Sequence, residues 1–183
     1  MIRAATGMVL AVVLWVGLGA PAPAQTSTRV PDLAAVEAAI DVILAAPERL
    51  PLPLERIRPA LIEHYTAHEA PVYWVGTGRM NPFLQRLADA GDDGLNPADY
   101  PIDSLIELRD TIDPNDPEGA AAVELFYSAF LVAYASDLKV GRLTPQKVDP
   151  KLFRNRRSVD PVAVLTEMTD TNNPNDFLNA FET

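Results

Sequence analysis

Apolar residues recur along this chain at intervals of three and four, and prolines with short polar runs interrupt them. That spacing predicts helices with one buried face. Leu33, Val36, Ile40, Ile43 and Leu44 form the first stripe, with Asp32 placed to cap it and Pro47 to end it. Leu50-Pro51-Leu52-Pro53 reads as an extended connector, because each proline disfavours helix in the residue before it. Pro59 then opens a second helix with Leu61, Ile62 and Tyr65 inward. Ala70-Pro71-Val72-Tyr73-Trp74-Val75 is aromatic and β-branched but has no convincing strand partner. It is expected to be an extended segment packed on helices.

From there Asn or Asp repeatedly precedes proline, at Asn81, Asn96, Asp113, Asp116, Asp149, Asp160 and Asn173. Such a side chain can cap orphan N–H groups while proline occupies the first helical position. Asn81 is expected to start a helix carrying Phe83, Leu84, Leu87 and Ala88, which Gly91 stops. The run Gly91-Asp92-Asp93-Gly94-Leu95-Asn96-Pro97-Ala98-Asp99-Tyr100 then reads as a tight loop and a one-turn helix closed by Tyr100. Ile102, Leu105, Ile106, Leu108 and Ile112 mark the next helix. After Asp116-Pro117 the longest helix runs to about Val140, with Val123, Phe126, Phe130, Tyr134 and Leu138 on one stripe. Leu125, Ala129, Val132 and Ala133 make its other side nearly as apolar, which marks a buried central helix. At 1.5 Å per residue it would be about 36 Å long. Gly141 follows its end, and a basic linker leads through Arg154-Asn155-Arg156-Arg157. Two short helices follow, one with Val162, Leu165 and Met168 after Asp160, one with Phe177, Leu178 and Phe181 after Asn173. The last reads as interrupted at Thr183. The expected fold class is all-α: one domain of six or seven helices around a long buried one at about 117–140.

The N-terminus adds a targeting signal. Arg3, the apolar run Met8 to Leu18 and the small-residue site Ala22-Pro23-Ala24 fit a signal peptide over 1–24, followed by a flexible stretch over 25–31. Export to the periplasm is therefore expected, with a membrane anchor only if the signal stays uncleaved. No later segment reads as a membrane span. The formal charge of −10 argues against nucleic acid and against anionic lipid. With no cysteine among 183 residues, disulfides, thiolate nucleophiles and thiolate metal sites are all excluded.

Several clusters could carry chemistry. His64 and His68 stand at i and i+4 and could hold zinc with Glu63 or Glu69, but the His-Glu-x-x-His pattern is missing and surface histidines are the simpler reading. Asp89, Asp92, Asp93, Asn96 and Asp99 invite calcium, yet the EF-hand spacing fails, and helix caps explain these residues more simply. Glu63, Glu69 or Glu124 could act in glycan cleavage; on the central helix, Glu124 reads better as a hydrogen-bonded structural acid. A serine triad would need Ser104, Ser128 or Ser136 beside a histidine, and no nucleophile-elbow motif supports one. No metal or cofactor is expected.

In order, the chain carries Tyr65, then Pro71-Val72-Tyr73-Trp74, then Gly94-Leu95-Asn96-Pro97-Ala98-Asp99-Tyr100, then Tyr134-Ala135-Ser136-Asp137-Leu138 and Gly141-Arg142-Leu143. This resembles the scaffold domain of the large periplasmic L,D-transpeptidases, the murein cross-linking enzymes of Gram-negative bacteria. Their pattern runs aromatic, Pro-Leu-Trp, Asp-Gly-Leu-x-Pro-x-x-Tyr, then Tyr-x-x-Asp-Leu-x-x-Gly-Arg. Tyr73 replaces the usual leucine before Trp74. The resemblance spans residues 54–181. It implies that Trp74, Gly94, Leu95, Pro97, Tyr100, Tyr134, Asp137, Leu138, Gly141 and Arg142 are structural motif positions. In that family a catalytic cysteine domain follows the scaffold, and no cysteine exists here. No catalytic residue carries over. The resemblance thus implies a non-catalytic helical platform in murein metabolism, whole or as a fragment of a full-length enzyme. Its expected partner is peptidoglycan or a catalytic L,D-transpeptidase domain. An alternative is an independent peptidoglycan-binding module, with Tyr73, Trp74 and Tyr100 exposed as a sugar-stacking surface.

Overall fold

The computed structural model describes residues 30–46, 52–67, 70–140 and 159–182. The stretch over 1–24 read as an export signal, His68, Glu69, Gly141, Arg142, the basic linker and Thr183 lie outside the described residues. Within them the protein is all-α, with seven α-helices and no strand. These are α1 (Leu33–Ala45), α2 (Leu52–Leu61), α3 (Met80–Ala88), α4 (Ile102–Asp110), α5 (Pro117–Val140), α6 (Pro161–Thr169) and α7 (Pro174–Glu182). A π-helix, Ile62–Ala67, continues α2, and two single 3-10 turns, Ala90–Asp93 and Pro97–Asp99, shape the loop between α3 and α4.

The long helix α5 is the centre. α1 lies along it, and α2, α4, α6 and α7 all touch it, while α3 pairs with α4 and α7. Ala120, Ala121, Leu125, Tyr127, Leu131, Tyr134 and Ala135 on α5 are fully buried. The expected stripe is shifted, however. Phe126 and Phe130 are only half-buried and Ala133 is exposed, whereas Tyr127 and Leu131 point into the core. Position decides this: Ala122, Phe126, Phe130 and Ala133 share one helix face, and that face is outward. By length and composition Pro117–Lys139 is apolar enough to span a membrane, contrary to the expectation above. Two-thirds of that stretch is buried inside the bundle, so packing within the protein accounts for its apolarity.

Caps and breaks differ in places from the sequence pattern. α2 starts at Leu52 and takes Pro59 into its interior, so Leu52-Pro53 is a first helical turn rather than a connector. Proline is tolerated in that first turn, where N–H groups lack partners anyway. Pro59 removes one ladder bond, and three residues later the helix widens into its π segment. α3 begins at Met80 with no side-chain cap, because Asn81 Oδ1 accepts instead from Arg109 Nη1 at 2.6 Å. α3 ends at Ala88 without Gly91; the left-handed residue is Gly94, at φ 70°. Asp32, Asn96, Asp116, Asp160 and Asn173 do accept from backbone N–H groups two or three residues on. Leu33, expected inside, is 40% exposed.

Candidate functional site

Two polar anchors hold the motif residues, and both grip α5. The first is Glu124. The extended run expected over 70–75 gives way to a bend at Trp74 and a turn over Val75–Thr77, with no strand beside it, so its N–H groups need other acceptors. Glu124 Oε1 accepts from the Tyr73 N–H at 2.7 Å. Its Oε2 accepts from Trp74 at 2.9 Å and Val75 at 3.0 Å. Tyr65 Oη donates to Oε1 at 3.0 Å and also meets Ser128 Oγ at 2.7 Å. One turn from Glu124, Ser128 accepts the Trp74 indole N–H at 3.0 Å. Glu124, Ser128 and Tyr65 are all buried. Burial pushes the Glu124 carboxyl up, and the Tyr73, Val75, Trp74 and Tyr65 donors pull the other way. Tyr65 is pushed well up, first by burial and then by Glu124. Each oxygen of the carboxylate already accepts two bonds and none faces solvent. Glu124 is therefore a structural acceptor with no free lone pair for a substrate.

The second anchor is a reciprocal clasp between the 91–100 loop and α5. Tyr134 Oη donates to Asp93 Oδ2 in a short hydrogen bond. Tyr100 Oη donates to Asp137 Oδ2 at 2.9 Å. The loop thus supplies an acid and a tyrosine, and α5 supplies a tyrosine and an acid one turn apart. The two rings lie 5.1 Å apart, centroid to centroid. Arg86 on α3 closes the arrangement with a bidentate pair to Asp93, 2.6 and 2.7 Å. Burial, then the bond to Asp93, pushes Tyr134 up, so it remains a neutral donor. Asn96 caps Pro97–Asp99, and Gly94 takes the positive φ that lets Leu95 N–H turn back to Ala90 O at 2.9 Å.

These contacts explain most motif positions and revise two expectations. Trp74, Gly94, Tyr100, Tyr134 and Asp137 take direct part in the two anchors, while Leu95 and Leu138 pack half-buried against the core. Pro97 opens its 3-10 turn. Tyr73, Trp74 and Tyr100 are 2%, 1% and 6% exposed, so they offer no stacking surface. Trp74 packs against Phe83 of α3 and Tyr127 of α5, with ring centroids at 5.3 and 5.5 Å, and Tyr100 against Tyr134. His64 is also buried, edge-on to Tyr65 at 4.8 Å, and is no surface histidine.

The other expected chemistry does not assemble. Among the described residues no three His, Asp or Glu side chains gather to hold a metal. In the acidic loop, Asp93 serves Arg86, Asp89 accepts from Gln85 at 2.8 Å, and Asn96 is a cap. Glu63 is exposed, whereas Glu124 is sealed behind Tyr65. Arg79 is a strut that the sequence pattern does not disclose. It donates to Tyr73 O at 2.9 Å and Asn172 O at 3.0 Å, with its guanidinium 4.3 Å from the Tyr73 ring centre. Arg86 likewise reaches Asn179 at 2.6 Å, so α3 ties the aromatic segment to α7. The local signal is two arginines seven residues apart, Arg79 at the N-cap of α3 and Arg86 in its last turn.

No curated protein and no solved structure matches the chain. A family model described as Scaffold domain matches residues 59–183, which include the 70–75 segment, the clasp loop and the central helix. The chain belongs to the Scaffold domain family, the scaffold domain of L,D-transpeptidases.

Proposed function

We propose that this chain acts as a non-catalytic, exported platform in peptidoglycan synthesis or remodelling, holding its position against peptidoglycan or against a catalytic L,D-transpeptidase domain. The observation that carries this reading is the use of the family motif. Its polar groups are spent on internal anchoring: Trp74 on Ser128, Tyr100 on Asp137, Tyr134 on Asp93. A platform needs such rigidity, and a catalytic site needs groups free to meet substrate. The absence of cysteine removes the nucleophile of the family's transpeptidase step. The signal-like stretch over 1–24 supports a periplasmic location. Incubation of the purified chain with murein sacculi, followed by chromatography of the digested muropeptides, tests the non-catalytic part. The profile should match that of untreated sacculi. New cross-links or released fragments would overturn it. Sequencing the DNA beyond codon 183 tests the link to a catalytic domain, which an in-frame Ser-His-Gly-Cys region would support.

A further inference from the structure

One apolar face of α5 is left partly open to solvent by the described elements. Ala122, Phe126 and Phe130 on it are half-buried and Ala133 is exposed, on successive turns of the helix. Neither anchor uses these side chains. Aromatic area left at a surface is worth most when a partner covers it, which is why such residues are enriched at interfaces. α4 lies beside this face. Tyr127, next to Phe126 in the chain, donates to Leu105 O at 2.7 Å, and Leu108, one turn on from Leu105, is half-buried. The side of α4 turned to solvent is acidic. Asp103, Glu107 and Asp110 stand at i, i+4 and i+7 and are all exposed. Asp110 pairs with Arg109 at 2.8 Å, whereas among the described residues no cation pairs with Asp103 or Glu107. From Asp89 to Glu118, Arg109 is the only base in the sequence.

An aromatic strip beside a row of carboxylates selects its occupant by charge. A second copy would set like charge against like, at a formal −10 per chain. An anionic surface is repelled for the same reason, and a neutral glycan leaves the carboxylates unmet. We infer that this face docks a protein partner through a basic amphipathic helix. Its apolar stripe would lie on Phe126 and Phe130, and its Lys or Arg side chains would meet Asp103 and Glu107. Such docking involves a separate polypeptide and is independent of contact with the wall.

The test is an NMR titration of the isotopically labelled chain with a synthetic helical peptide of leucine and lysine, its leucines in one stripe. The amides of Ala122, Phe126, Phe130, Ala133 and Glu107 should shift, and added salt should weaken the effect. A counterpart with glutamate in place of lysine should leave them unmoved, and a scrambled leucine–lysine peptide without the stripe should bind about tenfold more weakly or less. Replacing the two acids, Asp103→Asn with Glu107→Gln, alters exposed side chains outside both anchors, so the fold should persist. Affinity for the striped peptide should drop about fivefold, at the modest worth of two surface ion pairs. Shifts scattered over the acidic surface with α5 unmoved, equal binding of the glutamate or scrambled peptide, or unchanged affinity in the double variant would each overturn the inference. Movement of the same α5 amides on concentrating the free chain would overturn it in favour of a second copy. Their movement in the triple variant Arg154→Ser, Arg156→Ser and Arg157→Ser, with no peptide present, would overturn it in favour of the chain's own basic linker.

Discussion

Substitution at Glu124 gives the sharpest stability contrast in the molecule. In Glu124→Gln the amide keeps one acceptor oxygen, and its NH2 must face two of the four donors. The cheaper orientation turns NH2 toward Tyr65 and Tyr73, because the Tyr65 hydroxyl can rotate to accept and still donate to Ser128. One buried backbone N–H, that of Tyr73, is then orphaned, at a cost of about 1–3 kcal/mol. In Glu124→Ala all three backbone N–H groups lose their acceptor, so the cost is roughly 3–9 kcal/mol from desolvated donors alone. That approaches the whole stability of an ordinary domain, about 5–15 kcal/mol. At about 2–4 °C per kcal/mol, the glutamine variant should melt roughly 2–12 °C below wild type. The alanine variant should fall at least twice as far, or lose its cooperative transition. Calorimetry reads the midpoints, and hydrogen exchange reads the amides of Tyr73, Trp74 and Val75, which should lose protection before the rest of the core. An alanine variant melting within 3 °C of wild type, with those amides still protected, would refute the anchor.

The clasp should give smaller, coupled losses: Tyr134→Phe and Tyr100→Phe each remove a charge-assisted bond and should cost about 1.5–3 kcal/mol by denaturant unfolding. Gly94→Ala forces a side chain into a left-handed turn and should cost about 1 kcal/mol or more, with Gly94→Asn losing less. Asp160→Ala should lower stability by about 1 kcal/mol through loss of the α6 cap, seen as earlier exchange in that helix. Tyr127 donates to Leu105 O at 2.7 Å, and burial pushes its hydroxyl up to about 12. The unfolded chain then loses this proton near pH 10 while the folded chain keeps it, so stability is complete below pH 10 and falls by about 2–3 kcal/mol as pH rises to 12. In Tyr127→Phe that alkaline slope should disappear, which a pH series of melting curves checks.

How far the sequence reveals this arrangement depends on the range of the interaction. Local rules act within a few residues, and they place the helices well: the Asp32, Asn96 and Asp160 caps follow directly from side-chain chemistry. They overreach at Asn81, where a neighbouring arginine wins the side chain, and at Asp113, which closes a turn by accepting from Asn115 N–H at 2.8 Å. Tyr134 and Asp137 are legible as one helix face, and Asp93 with Tyr100 as one loop. That each takes its partner from the other element is not, since the pairs lie 41 and 37 residues apart. Glu124 reads from sequence as a structural acid, but the same gap hides its partners, whose donors come from 49 to 59 residues away. Packing of Tyr73 and Trp74 on helices is legible in the aromatic run itself, but the backbone shape there is not. An extended run would bring its N–H groups out on alternate sides; the bend at Trp74 and the turn after it bring those of Tyr73, Trp74 and Val75 to one carboxylate, and no residue within the segment discloses that.

The reading that the platform rests on peptidoglycan itself stands or falls on contact with the wall. The chain from residue 25 onward should pellet with purified murein sacculi at low salt, in a salt-dependent way, and leave their muropeptide profile unchanged. A folded chain that stays wholly in the supernatant, or one that alters the cross-links, would contradict it.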